Sequence, residues 1–234
     1  MSAPSKDRIL ITGANRGIGL EITRQAAAGG HHVTAACRTP DKADELNALA
    51  TQSDGRVTVI AMEVRDEDSV RAAAALVGSL DLLVCNAGTL NARGGLTDPG
   101  HTQENIGESL MTNIAGVFFT ARHFVGHLQA SPHPRIAVIS SQMGSSRRAG
   151  TSAPIYRATK AAATNLARSM ALELAADGIA VGAYHPGWVQ TDMGGAEAAI
   201  TATQSAAGLL QRFALLGPQT SGVFETWDGD PMPF

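Results

Sequence analysis

Aromatic residues are scarce in this chain, at 4% of 234 residues, and charged residues make up only 17%, with a net charge of −3. So slight and acidic a balance argues against nucleic acid or an anionic membrane surface as a partner, since both are met by a basic face. Cysteine is limited to Cys37 and Cys85, each inside an apolar run. Such thiols read as buried and free, and no cysteine or histidine spacing suits a metal. No apolar run reaches the roughly 18 residues that cross a bilayer. The residues before the first strand hold no hydrophobic leader, so no signal peptide is expected, and the expected location is the cytoplasm. Internal repeats, low-complexity segments and domain linkers are also missing. The length then suits one α/β domain over 1–234.

Small and apolar residues are plentiful: 44% of the chain is hydrophobic and 25 residues are glycine. Short apolar runs alternate with longer amphipathic ones. Strands are expected at 8–12, 32–38, 56–61, 81–85, 135–141, 178–184 and 222–226. Helices are expected from Gly17 to about Ala28, Asp41 to about Ala50, Asp66 to about Gly78, Gln103 to about Leu128, Pro154 to about Ala176 and Thr203 to about Leu215. Seven strands alternating with helices predict a doubly wound, Rossmann-type parallel sheet.

Thr12-Gly13-Ala14-Asn15-Arg16-Gly17-Ile18-Gly19 lies between the first strand and the first helix. Glycines there let the backbone turn tightly and let a pyrophosphate approach the free N–H groups of the helix. The end of the second strand ordinarily decides which nicotinamide cofactor fits, an acid selecting the ribose hydroxyls of NAD and an arginine the 2′-phosphate of NADP. No acid lies between His31 and Thr39, and Arg38 stands at the strand end with Arg16 in the glycine turn. This pair favours NADP(H), with NAD(H) as second choice and Asp41 as the contrary sign. The fourth strand ends in Asn86-Ala87-Gly88, small enough for a flat group such as adenosine to lie against the backbone.

Tyr156 and Lys160 are four residues apart on a helix and therefore share a face. An ammonium beside a phenol is expected to lower the phenol's pKa, making Tyr156 a general acid or base. Ser140 and Ser141 end the strand just upstream, where parallel sheets carry their sites. Ser145 is a third hydroxyl in the same loop. Asn113, set among apolar residues, reads equally as a satisfied structural amide or as one that holds a water or bends its helix at a site. His185 follows the sixth strand beside a Pro-Gly turn, a structural position more than a chemical one.

Together these motifs resemble the short-chain dehydrogenase/reductase family across nearly the whole chain. The likeness rests on the Thr12–Gly19 turn, Asn86-Ala87-Gly88, Asn113, the Ser141 strand end, Tyr156-x-x-x-Lys160 and Pro186-Gly187, in order and near family spacing. Ala36-Cys37-Arg38, Ile139–Ser145 and His185–Gly195 are similar to the C-factor and Sniffer-like carbonyl reductase branch. The resemblance implies hydride transfer between NADP(H) and a small carbonyl or secondary alcohol, with Asn113, Ser141, Tyr156 and Lys160 catalytic. Tyr156 would exchange the proton, Ser141 bind the carbonyl, Lys160 hold the nicotinamide ribose and Asn113 hold a water. It implies cofactor contacts at Gly13, Asn15, Arg16, Gly17, Ile18, Gly19, Arg38, Glu63, Val64, Asn86, Ala87, Gly88, Pro186, Gly187, Val189 and Thr191, besides Tyr156 and Lys160. A homodimer or homotetramer packed through the helices at 103–128 and 154–176 is implied too. Ser141 stands fifteen residues before Tyr156, slightly more than the usual family spacing. Glu63 replaces the aspartate that many members set against adenine. A nucleotide-binding signalling or redox-sensing protein with little turnover is the alternative function.

Overall fold

The structure, a computed structural model, describes residues 6–234. Seven strands form one sheet: β1 (Arg8–Thr12), β2 (His32–Cys37), β3 (Val57–Ala61), β4 (Leu82–Cys85), β5 (Arg135–Ile139), β6 (Ala180–His185) and β7 (Phe224–Thr226). All pair in parallel, in the order β3-β2-β1-β4-β5-β6-β7. Every residue of β4, β5 and β6 is buried. Mostly apolar runs, rather than alternating ones, are what a sheet covered on both faces demands, and only Arg135 at the start of β5 and His185 at the end of β6 break them.

Helices cover both faces. On one lie α1 (Gly17–Ala28), α2 (Asp44–Gln52) and α7 (Ala202–Leu215); on the other lie α3 (Glu67–Ala74), α4 (Gln103–Leu110), α5 (Gly116–Leu128) and α6 (Pro154–Glu173). The two-residue period of the strands divides the core. Leu10 joins Phe124, Ala163 and Met170 on the second face, while Ile9 and Ile11 join Leu20, Leu209 and Phe213 on the first. Chain order reverses between β1 and β4, so a crevice opens at their carboxyl ends. At the opposite edge Asp81, before β4, accepts from the Arg8 guanidinium at 2.9 Å and backbone N–H at 2.8 Å. Burial opposes its charge, but those Arg8 bonds prevail and hold its carboxyl down at about 2.

Some boundaries differ from the sequence expectation. The helix after Asp66 ends at Ala74 instead of near Gly78, where the chain tightens and Leu80 donates to the His127 carbonyl at 2.7 Å. Its start is as expected, with the Asp66 carboxylate accepting from the Asp68 and Ser69 N–H groups. The Asp41 helix begins as a single tight turn at Pro40–Lys42 before α2. The long helix at 103–128 is split by a widened π-type turn at Met111–Ala115, so Asn113 does mark a break. Cys37 and Cys85 are buried free thiols. Among the described residues no helix is long and apolar enough to cross a membrane, and no metal-ligand cluster is found.

Candidate active site

The crevice at the β1–β4 reversal is a cleft of about 800 Å³. Its floor is the glycine turn, with Gly13, Asn15, Arg16, Gly17, Ile18 and Gly19 all facing it. Gly13 and Gly17 have φ of +64° and +55°, a region that disfavours any side chain with a Cβ. Gly19 is required by contact: a Cβ there would meet the Gly13 carbonyl oxygen at 2.4 Å and Asn86 Nδ2 at 2.5 Å. Asn86 donates to the Thr12 and Gly13 carbonyls at 2.8 and 3.1 Å, so its amide braces the turn while its edge faces the cleft. The start of α1 has no side-chain cap and no acid in its first turn. A helix N-terminus left open at the bottom of a glycine cradle fits a dinucleotide pyrophosphate.

Arg38, Glu63 and Val64 line one end, with Lys42 and Glu45 beside them. Glu63 is bound by the Arg65 guanidinium at 3.0 Å and stands 4.0 Å from Arg38. Arg16, the other half of the expected phosphate clamp, pairs instead with Asp192 across the cleft at 2.9 Å, both side chains being exposed. Ala87, Gly88, Pro186 and Thr191 line the remaining wall. Gly187 and Val189 sit behind it: Gly187 packs on Ile200 and Trp227, and buried Val189 bridges to Ile200.

Tyr156 and Lys160 project into the cleft from α6. Lys160 is 4% exposed; its Nζ lies 5.7 Å from the Tyr156 ring centroid and donates to the Ile139 carbonyl at 2.8 Å. Burial lowers the ammonium to about 8. Burial also pushes the half-buried Tyr156 phenol up to about 12, opposed by a hydrogen bond with the Ser141 hydroxyl and by the Arg93 charge. The expected tuning of Tyr156 by Lys160 is therefore not what the site displays. The ammonium faces the ring and the Ile139 carbonyl, and burial dominates the phenol. At neutral pH the phenol keeps its proton.

The structure separates the three serines. Ser140 Oγ donates to the Lys160 carbonyl at 3.0 Å and meets Thr164 Oγ1 at 2.5 Å, fixed beneath α6. Ser145 is buried. Ser141 is the one of the three that acts on the phenol, and its Oγ accepts from the Met143 N–H at 3.1 Å, although Ser140 and not Ser141 borders the cleft itself. Asn113, 1% exposed, accepts from the Thr89 N–H and donates to the Thr89 carbonyl and to Thr159 Oγ1, at 2.8–2.9 Å. Thr159 in turn donates to the Tyr156 carbonyl at 2.9 Å. His185, 7% exposed, is driven down to about 4 by burial and by Arg148, against Asp228, so it is neutral at working pH.

A family model described as short chain dehydrogenase matches residues 7–201. The chain belongs to the short-chain dehydrogenase family. The NADPH-bound carbonyl reductase from chicken fatty liver superposes with a TM-score of 0.90 at 32% identity, covering 98% of this chain and 99% of that one. Carbonyl reductase Sniffer of Drosophila melanogaster gives 0.89 at 26% identity, over 98% and 100%. C-signal of Myxococcus xanthus is 32% identical over 158 residues, 67% of this chain and 94% of that one. The likeness to the carbonyl reductase branch is thus borne out.

In this short-chain dehydrogenase the sequence reading missed Lys42, Asp192 and Gly144. Lys42 was detectable, since it follows Arg38 by four residues around one turn. Asp192 was not, because its partner Arg16 lies 176 residues away. Gly144 ends the short turn at Gln142–Gly144, and a Cβ there would stand 2.6 Å from the Lys160 carbonyl carbon. Gly144→Ala forces that turn off the backbone of α6 and moves Ser141 with it. The expected loss is about 1–3 kcal/mol of stability, the usual cost of overpacking, together with a fall in kcat. Urea unfolding and steady-state rates measure both, and wild-type values for the two would refute the close packing.

Proposed function

We propose that the protein is an NADP(H)-dependent oxidoreductase that interconverts a small carbonyl compound and the corresponding alcohol, with Tyr156 as the acid/base. The observation that carries this is the convergence of the Tyr156 phenol, the Ser141 hydroxyl and the Lys160 ammonium at the carboxyl ends of β4 and β5, beside the cleft. When bound, the nicotinamide supplies or takes the hydride. The protein's own groups do the rest. Ser141 donates to the carbonyl oxygen and stabilises negative charge as it develops. Tyr156, protonated at neutral pH, delivers the proton to that oxygen. Lys160 holds the ribose and supports the phenolate left behind. Asn113 Oδ1 and Lys160 Nζ both approach Gly88, where a Cβ would meet them at 3.4 and 3.3 Å, and the bare glycine leaves a position suited to a water between them.

NADP over NAD is supported by Arg38 and Lys42 at the cleft's end and by the NADPH-bound carbonyl reductase of the same fold. Glu45 and Glu63 border the same end and penalise a second negative charge there unless the cations prevail. The test is NADPH oxidation with a panel of ketones and aldehydes, repeated with NADH and with Arg38→Asp. NADPH is expected to be preferred, and the variant to lose about 10- to 100-fold in kcat/KM for NADPH, the value of one charge-assisted contact. Equal use of both cofactors by wild type and variant would overturn the assignment.

A further inference from the structure

The chain has fifteen arginines, and among the described residues ten lie within 4.0 Å of a carboxylate. The five others are Arg93, Arg147, Arg148, Arg157 and Arg168. Arg168 stacks on the Phe234 ring, 4.0 Å from its centroid. The remaining four lie in the loop after β4, the loop at 142–153 and the start of α6, and Asn91 and Ala92 of the first loop share a small hollow with Tyr156. In a chain of net charge −3 this is a local excess of cations with a definite address.

They have different duties. Arg157 donates to the Ser152 and Arg148 carbonyls at 2.8 and 2.9 Å, bracing the loop at 142–153. Arg148 donates to Gln142 Oε1 at 2.8 Å, directly after Ser141. Arg93 lies in the loop after β4, whose Arg93 and Gly94 carbonyls accept from the Ala153 N–H at the head of α6. Its guanidinium reaches across to the Met193 carbonyl, and Met193 itself lines the cleft. Nearby acids are otherwise engaged: Asp98 accepts from the Gly94 and Gly100 N–H groups at 2.6 and 2.8 Å, and Asp192 is held by Arg16.

We propose that Arg93, with Arg148 on the facing loop, binds a carboxylate carried by the substrate, so that the substrates are small carbonyl compounds bearing an anionic group. A guanidinium whose partner is a neutral carbonyl or amide exchanges it readily for a carboxylate, which its planar fork matches. The Arg93 charge also acts on the Tyr156 phenol, lowering it against the effect of burial. A carboxylate on Arg93 neutralises that pull, and the phenol then keeps its proton more firmly for delivery to the carbonyl oxygen. This rests on Tyr156 acting as the acid in carbonyl reduction, and the test separates the two readings.

The NADPH complex is titrated with benzoate and with benzamide, which share a shape and differ in charge. Benzoate is expected to bind at least about ten-fold more tightly, Arg93→Gln to erase the difference and Arg93→Lys to restore part of it. In parallel, kcat/KM is compared for 4-carboxybenzaldehyde and its methyl ester, where the acid is expected to lead by roughly ten-fold in wild type and to lose that lead in Arg93→Gln. Equal binding of benzoate and benzamide, or a ratio that Arg93→Gln leaves unchanged, overturns the anion site while any aldehyde turnover keeps the reductase reading. Benzoate preference lost in Arg93→Gln, with no turnover of either aldehyde, supports the anion site and sinks the reductase reading.

Discussion

Tyr156→Phe is expected to lower kcat for carbonyl reduction by about 10²- to 10⁴-fold, the range that a positioned general acid supplies, while NADPH still binds. The substitution removes one hydroxyl and keeps the ring that packs beside Lys160. Burial holds the phenol near 12, so at neutral pH the group lost is a proton donor and not a phenolate. Ser141 remains to polarise the carbonyl, which leaves the residual rate. A thermal midpoint within a degree or two of wild type would place the loss in chemistry and not in folding. Turnover within about ten-fold of wild type would remove Tyr156 from the mechanism, since even a weak general acid contributes more than that. A signalling protein without turnover predicts a different result: tight NADPH binding in both forms and no rate to lose.

The sheet, its seven strands and the glycine turn were legible because each rests on local pattern. Apolar runs of β4, β5 and β6 announce burial on both faces, and the glycines of 13–19 announce a backbone approached closely from one side. The split at Asn113 was legible for the same reason, as a polar residue inside an apolar helix. Electrostatics were not. Arg16 looked free for a phosphate because Asp192 is distant in sequence, and Glu63 gave no sign that Arg65 would neutralise it at 3.0 Å. The phenol–ammonium pair shows the limit most clearly. Helical spacing brings Tyr156 and Lys160 to one face, but the direction of a pKa depends on burial and on where each polar atom points. The Ile139 carbonyl that takes the ammonium belongs to β5, 21 residues before it.

Lys160→Met is expected to make the protein more stable and almost inactive. An ammonium 4% exposed, with the Ile139 carbonyl as its hydrogen-bond partner, is costly to bury. Its pKa falls from 10.5 to about 8 on folding. Between those values the unfolded chain holds a proton that the folded chain has released, so stability rises with pH across that window. Below pH 8 both states hold the proton and the cost is borne in full, at roughly 3 kcal/mol. Methionine keeps the length and removes the charge, leaving the Ile139 carbonyl short of a donor at about 1 kcal/mol. The net expectation is a gain of about 1–2 kcal/mol at pH 7, with kcat lower by about 100-fold or more, as when one electrostatic stabiliser is removed. Urea unfolding at pH 7, 8 and 9.5 measures the first effect. Over the same range the buried Cys85 thiol, raised to about 12 in the fold, and above it Tyr156, lower the stability of both proteins alike, so the difference between the two proteins is the quantity read. From pH 8 to 9.5 wild type should gain on the variant by about 1–2 kcal/mol, the variant losing stability over that window. If the variant is the less stable at pH 7, or the two curves run parallel, Lys160 is better solvated than its surroundings indicate, and it is then kept for the fold as well as for the chemistry.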